Sequence, residues 1–478
     1  MIEQNADVMR TALGVDSNLL LEHHSNVMND IGDGQQNEYN RFEMNWKKPF
    51  ICTTMVQFFS SLFSDRKECV RRFHRLKHAV VILDEVQSVP IKAIHTFNLM
   101  MNFLNRICHT TIILCTATQP ELDVYSIKRP ILYSEPQNMI TDVSGKFISF
   151  HRVEVVDACR QEGYTVQKLS QFIGAQIEEK RYSSMLIILN SKRAVKELYD
   201  CLSEEWEGEY EVVYLTTNLC AQHRSDVIDT VKKELKIRKK QLIVSTSLIE
   251  AGVDLSVECV VRSLAGLDSI AQAAGRCNRH GEREKGKLYI VNMQDEGIKR
   301  MKELKRAMDA GSRILQGYAE EKQQTDLLAP EWMKKYYWEY FWRGREEMDY
   351  NNKDLPTEFQ LLSTGFLENA GGRFQLHQAY KTAGEHYRLI DNQTVTVIVP
   401  YGEGKIYIEQ LDKEEQISSI FAILKKTQRC TVNLYGYKVR ELFEKGIVRQ
   451  YDKVPNVYIA TTYDATKGID TYLQDLIF

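Results

Sequence analysis

The apolar residues of this chain gather in short runs. Ala79-Val80-Val81-Ile82-Leu83 and Thr111-Ile112-Ile113-Leu114-Cys115 are apolar at almost every position and too short for helices. Such runs predict parallel strands covered on both faces. Phe50-Ile51-Cys52-Thr53-Thr54, entered from Pro49, predicts a further strand that leads into a helix over Val56–Phe63. Residues 1–31 read as a helix, a turn at Gly14 and a short strand ending at Glu22-His23-His24-Ser25, and the polar, glycine-bearing residues 32–45 read as a surface loop. Helical segments fill the gaps, and strands alternating with helices predict an open α/β sheet.

The alternation begins again near residue 150. Its predicted strands are Met185–Leu189, Glu211–Leu215, Gln241–Ser245, Cys259–Val261 and Lys287–Val291. Residues 298–350 are helical and rich in aromatic residues, and near 375 the pattern changes to that of a small α+β module, with a strand over Thr394–Val399 and a turn at Pro400–Gly404. Four segments follow: an α/β unit over 1–148, a second over 149–297, a helical linker over 298–374 and a C-terminal accessory domain over 375–478.

Composition narrows the class little. With 478 residues, 43% hydrophobic and 27% charged, the chain has material for several buried cores. A net charge of −3 means that nucleic-acid binding would rest on local basic patches. The ten cysteines form no Cys-x-x-Cys pair and sit mostly in apolar stretches, which reads as reduced thiols and a cytoplasmic setting. No apolar run approaches the ~18 residues of a membrane span, so no membrane association is expected. The N-terminus lacks the basic and apolar regions of a signal peptide and begins as though inside a helix.

The chemistry concentrates in a few segments. Asp84-Glu85-Val86-Gln87 follows the run 79–83, at the carboxyl end of a strand, where open α/β sheets bind ligands. One carboxylate suits Mg²⁺ held through water; the other can orient or deprotonate an attacking water. Thr116-Ala117-Thr118 follows the next strand and offers small hydroxyls to those carboxylates. Downstream, Thr246 can donate to a nucleic-acid phosphate, and the glycine of Gly252-Val253-Asp254 allows close approach of backbone to a nucleotide. Gln272-Ala273-Ala274-Gly275-Arg276-Cys277-Asn278-Arg279 places Arg276 and Arg279 three residues apart, a spacing that predicts one helical face. Arginines that reach a γ-phosphate contribute ~10³–10⁵ in rate.

Other segments are set aside. Gly281–Leu288 has the spacing of a phosphate loop up to Lys287, but Leu288 stands where a hydroxyl is needed, and the segment enters a strand instead of a helix. No His-Asp dyad occurs, and His23-His24 lacks acidic neighbours at metal-ligand spacing. The stretch Trp332, Tyr336, Tyr337, Trp338, Tyr340, Phe341, Trp342 carries interleaved Lys and Arg. It reads as a packing seam, with base stacking as the alternative.

Together these segments resemble superfamily 2 helicases and, more narrowly, the CRISPR-associated helicase–nuclease family of type I interference systems. The narrower likeness rests on Asp84-Glu85-Val86-Gln87, on Thr53-Thr54-Met55-Val56-Gln57-Phe58-Phe59, on Tyr214–Cys220 followed by His223-Arg224, and on Leu264–Gln272 running into the arginine segment. The resemblance implies two RecA-like domains, the first truncated at its N-terminus, with the linker and accessory domain following. It implies ATP and Mg²⁺ as cofactors and single-stranded DNA and a crRNA-guided surveillance complex as partners. By position, Asp84 and Glu85, with Gln87, would serve Mg²⁺–ATP, and Arg276 and Arg279 the γ-phosphate. Gly252, Asp254, Gln272 and Gly275 would line the nucleotide; Thr116, Ala117 and Thr118 would couple nucleotide to movement; Thr53, Thr54, Ser191, Thr216 and Thr246 would face the DNA backbone.

The departure from the family is the absence of a Gly-x-x-x-x-Gly-Lys-Ser/Thr loop and of an HD nuclease signature before Asp84. Without the loop a triphosphate lacks its backbone cradle and lysine, and the first sheet is expected to expose strand edges and apolar surface. Three readings stay open: the rear part of an ATP-dependent helicase from an interrupted or split gene; a DNA-binding or docking module without turnover; and an ATPase completed by a separate polypeptide that carries the loop.

Overall fold

The computed structural model describes residues 2–14, 19–23, 45–134, 138–149, 151–250, 252–298, 301–321, 326–350, 356–363, 378–389 and 394–469. Except for Asn45, the loop expected over 32–45 lies outside the described residues, as do His24 and Ser25. The chain divides into two compact units. One comprises Met1–Ser149 with Leu328–Asn392, the other Phe150–Leu327 with Gln393–Phe478.

The first unit opens with the helix Ile2–Leu13 and two parallel strands, β1 (Leu20–His23) and β2 (Phe50–Thr53), in register from Leu20 opposite Phe50 to His23 opposite Thr53. β2 ends one residue earlier than expected because Thr54 caps the next helix, Met55–Phe63, its hydroxyl accepting from the Gln57 amide at 3.1 Å. β3 (Val80–Asp84) and β4 (Thr111–Cys115) pair in parallel and bring Asp84 opposite Cys115. The helix Ile94–Arg106 lies between them in sequence and buries Ile94, Phe97, Met101 and Leu104.

The expectation that residues 79–83 are covered on both faces is corrected here: Val80 and Ile82 are 65% and 60% exposed, and Leu83 is buried. Period-2 geometry sends Val80 and Ile82 to one face of β3, and that face is open. This agrees with the apolar surface expected on the first sheet. The helix Pro330–Gly344 belongs to this unit and buries Trp332, Met333, Tyr336, Tyr337 and Phe341. The packing reading therefore holds for Tyr337/Phe341, whereas Trp338 and Trp342 point outward.

The second unit holds a parallel sheet of six strands: β5 (Val153–Asp157), β6 (Ser184–Ile188), β7 (Glu211–Leu215), β8 (Gln241–Ser245), β9 (Cys259–Ser263) and β10 (Gly286–Val291), in the order β5-β10-β9-β6-β8-β7. β6, β8 and β9 are buried along their whole length, which explains their apolar centres Met185–Ile188, Leu242–Val244 and Cys259–Val261. The segment Gly281–Lys285 is exposed and enters β10, so no phosphate loop forms there. A second, mixed sheet of β11 (Thr394–Ile398), β12 (Thr431–Tyr435), β13 (Val448–Gln450) and β14 (Tyr458–Ala460) has the order β12-β11-β14-β13. It packs on the first through Cys220 and Ile469, and through His223 stacked on Tyr401 at 4.1 Å and 12°. All ten cysteines are free thiols. Among the described residues, no helix is long and apolar enough to cross a membrane.

Candidate nucleotide and nucleic-acid site

In the first unit the acidic box sits where β3 ends. Asp84 is exposed and its Oδ1 accepts from the Glu85 amide at 3.0 Å. Glu85 adopts the left-handed region, φ 54° and ψ 44°, a conformation that costs a non-glycine residue energy and turns the chain sharply after the strand. The Gln87 side-chain amide donates to the Glu85 carboxylate. Thr116, just past β4, donates its hydroxyl to Gln87 Oε1 at 2.5 Å, and Thr116 Oγ1 accepts from the Thr118 amide at 3.1 Å. Thr118 is buried, and its hydroxyl lies 2.9 Å from the Tyr337 hydroxyl. A continuous chain thus runs Glu85–Gln87–Thr116–Thr118–Tyr337, from the box through the Thr-Ala-Thr segment to the aromatic helix. Ala117 is exposed beside it.

Among the described residues, no three His, Cys, Asp or Glu side chains converge as a metal cage. An exposed lone carboxylate at a strand end instead fits Mg²⁺, which keeps most of its waters and binds through one or two carboxylates and a phosphate.

In the second unit, Arg276 and Arg279 do not share a helix face. The helix Leu267–Ala274 ends at Gly275, and both arginines lie beyond it. Arg276 is only 8% exposed and donates from Nε to the Ile249 carbonyl at 3.1 Å and from Nη2 to the Glu250 carbonyl. Arg279 is exposed and pairs through Nε with Asp254 Oδ1 at 2.9 Å. Both side chains thus reach back to the segment that follows β8, one to its turn and one to its acid. Gly252, at φ +72°, occupies a conformation that favours glycine. Gln272 lies half-buried on the helix, and Gly275 is its exposed C-cap.

The hydroxyls read as facing DNA are mostly engaged within the protein. Thr53 donates to the His23 carbonyl at 2.8 Å, and Thr54 is the helix cap described above. Ser191 caps the helix Lys192–Glu205 by accepting from the Ala194 amide at 3.2 Å. Thr216 is fully buried, donates to the Tyr214 hydroxyl at 3.0 Å and accepts from the Asn218 amide at 3.1 Å. Thr246 is half-buried at the end of β8. Next to Ser191, burial and then the neighbouring Arg224 charge pull the Lys192 ammonium down to about 8.

One constellation escaped the sequence reading. Arg262, 1% exposed, pairs through Nε with Glu250 Oε1 at 2.7 Å. Its Nη1 donates to Asn190 Oδ1 at 2.7 Å and its Nη2 to Ser269 Oγ at 2.9 Å. Ser269 donates in turn to Glu250 Oε2 at 2.7 Å, and Asn190 Nδ2 to the buried Glu296 at 2.7 Å. Burial pushes the Glu250 carboxyl up, with Arg262 and Ser269 opposing. This network joins the ends of β6, β9 and β10 to the turn that Arg276 grips. Its signal was an arginine inside the apolar run Cys259–Ser263.

Residues 181–282 match the family model for the C-terminal part of CRISPR-associated nuclease/helicase Cas3. The chain is 24% identical over 378 residues to the CRISPR-associated nuclease/helicase Cas3 of Haloferax volcanii, a match covering 61% of this chain and 40% of that protein. It is 28% identical over 156 residues to that of Methanothermobacter thermautotrophicus, covering 32% and 18%. The chain thus spans less than half the length of these curated relatives. Among solved structures, T. fusca Cas3 with AMPPNP superposes with a TM-score of 0.65 at 14% identity, over 98% of this chain and 64% of that one. This is a likeness of fold, and it bears out the α/β architecture with RecA-like units. The chain is similar to Cas3-type CRISPR-associated nuclease/helicases, and over residues 181–282 to their C-terminal part.

Proposed function

We propose that the chain is the motor portion of a CRISPR-associated helicase, an ATP-dependent translocase on single-stranded DNA that acts where a crRNA-guided complex has opened its target. The observation that carries this reading is the hydrogen-bonded chain from Glu85 through Gln87 to Thr116, which ties an acidic box to the end of the neighbouring strand. Asp84 would hold the Mg²⁺ that accompanies ATP, and ATP supplies the phosphoanhydride bond. Glu85 orients the attacking water and takes its proton. Gln87 fixes the Glu85 carboxylate, and Thr116 fixes Gln87, so that a change at the box is felt at Thr118 and on the aromatic helix.

In the second unit, the Arg279–Asp254 pair and the backbone at Gly252 form the nucleotide-facing group. Thr246 and the Ser191–Lys192 helix start provide contacts to phosphates of the strand. Thr216 acts indirectly, by shaping the turn Thr216–Cys220. The surveillance-complex partner is supported by fold likeness to a chain of a CRISPR RNA-guided surveillance complex in a pre-nicking state, with a TM-score of 0.57.

A second reading, binding without turnover, is favoured by Arg276, whose guanidinium is buried against backbone carbonyls and turned away from solvent. Binding of a labelled single strand in the presence of ATP, ADP or no nucleotide separates the two. A motor changes its affinity with nucleotide state, and a binding module does not.

A further inference from the structure

We propose that the outward face of the helix Pro330–Gly344 is a stacking platform for unpaired bases of single-stranded nucleic acid, with Trp338 and Trp342 as its rings. The inference rests on the reading above that the chain handles single strands.

The helix buries one side completely: Trp332, Met333, Tyr336, Tyr337 and Phe341 fill the core of the first unit, and the Tyr337 hydroxyl is bonded to Thr118. Trp338 and Trp342 take no part in that seam. They are 49% and 42% exposed, and their rings lie parallel at 6° with centroids 5.7 Å apart. Tryptophan is seldom left this open, and two indoles on successive turns hold flat apolar faces in one orientation at little cost in side-chain freedom. The Arg345 guanidinium lies 4.2 Å from the Trp342 ring.

The residues around the rings indicate the occupant. Helical spacing puts Glu331, Lys334, Lys335, Trp338 and Trp342 on one face, and Arg345 follows in the turn that ends the helix. The three cations beside the rings are themselves engaged, Lys334 with Glu121, Arg345 with Glu346 and the Lys335 ammonium 3.8 Å from the Trp332 ring, so the rim is mixed in charge. Neighbouring acids are engaged: Glu339 with Arg343 at 2.5 Å, Glu121 with Lys334 at 3.6 Å and Glu346 with Arg345 at 3.5 Å. A protein interface of ordinary size needs ~800 Å² per partner with an apolar centre, and two rings bordered by charges do not supply one. Flat rings between cations are the elements that hold bases and phosphates of a single strand without regard to sequence.

The test uses the full chain, labelled oligodeoxythymidylate and two double variants, Trp338→Ala/Trp342→Ala and Trp338→Phe/Trp342→Phe. The rings are exposed, so circular dichroism and melting temperature stay at wild-type values. The alanine variant should bind the oligonucleotide about tenfold or more weakly, and the phenylalanine variant should recover most of the loss. Wild-type tryptophan emission should be quenched by the oligonucleotide and not by heparin, a polyanion without bases. Unchanged affinity in the alanine variant, with wild-type binding intact, overturns the platform and leaves the proposed function standing. Should the alanine variant instead lose only self-association in sedimentation, the rings belong to a second copy of the chain and the platform is again overturned. If the wild-type chain binds no single strand, the proposed function fails, and the platform fails with it.

Discussion

Gln87 accepts the Thr116 hydroxyl at 2.5 Å on one atom of its amide and donates to the Glu85 carboxylate from the other. A glutamine suits this position because its side chain is both donor and acceptor. It passes the orientation of one strand end to the next without carrying charge. Gln87→Glu would place a second carboxylate against Glu85, and Thr116→Val would leave the Gln87 oxygen without its donor. Under the ATPase reading, both variants lower the turnover rate by about tenfold or more and leave the KM for ATP nearly unchanged. Steady-state kinetics checks this.

The two arginines of the Gly275–Arg279 segment should separate cleanly in stability. Arg276 is buried, and its bonds to the Ile249 and Glu250 carbonyls are charge-assisted. Arg276→Ala is expected to cost about 2–3 kcal/mol. Arg279 and Asp254 are 41% and 59% exposed, so Arg279→Ala should cost no more than about 1 kcal/mol. Denaturant unfolding of both variants gives the comparison, and equal losses would contradict the structure.

The Arg262–Glu250 pair makes a prediction by cycle. Removing one partner of a buried ion pair strands the other charge and costs about 3–5 kcal/mol. Arg262→Met alone should therefore unfold far more readily than wild type. Arg262→Met combined with Glu250→Gln should recover a large part of the loss, because the second change removes the stranded carboxylate. A double-variant cycle read by urea unfolding tests this.

A pH dependence is built into the first unit. Burial, and then the charge of Asp349, push the Glu358 carboxyl up to about 8. Glu358 is 1% exposed, and among the described residues its Oε1 has no hydrogen-bond partner. In the folded chain it keeps its proton at pH values where the unfolded chain has lost it. Its contribution is thus fully present below the ordinary carboxyl range near 4.5 and lost as pH rises through about 8. Glu358→Gln should flatten the fall in melting temperature across that window, and an unchanged slope would contradict the burial argument.

The six-stranded sheet was legible because its central strands are covered on both faces and so carry runs of three or more consecutive apolar residues. β5 was missed for the converse reason. Val153-Glu154-Val155-Val156-Asp157 is an edge strand whose Glu154 and Asp157 are exposed, and it offers no such run. Val80 and Ile82 show the limit of the same rule, since an apolar run states what a strand prefers and not what covers it.

The arginine pair failed as a face because spacing arguments hold only within a helix, and the helix stops at Gly275. The acidic box and the Thr-Ala-Thr segment could be located from their strands. That Gln87 joins them, or that Thr54 and Ser191 spend their hydroxyls on helix caps, depends on distances that spacing along a chain does not carry.

The central claim is that this chain couples ATP to single-stranded DNA through the Asp84–Gln87 box. Its most direct test is ATP hydrolysis by the purified chain, with and without single-stranded DNA, against Glu85→Gln. The account predicts turnover that rises with the DNA and is lost in the variant. A folded wild-type chain with no turnover, or turnover equal in the variant, would contradict it.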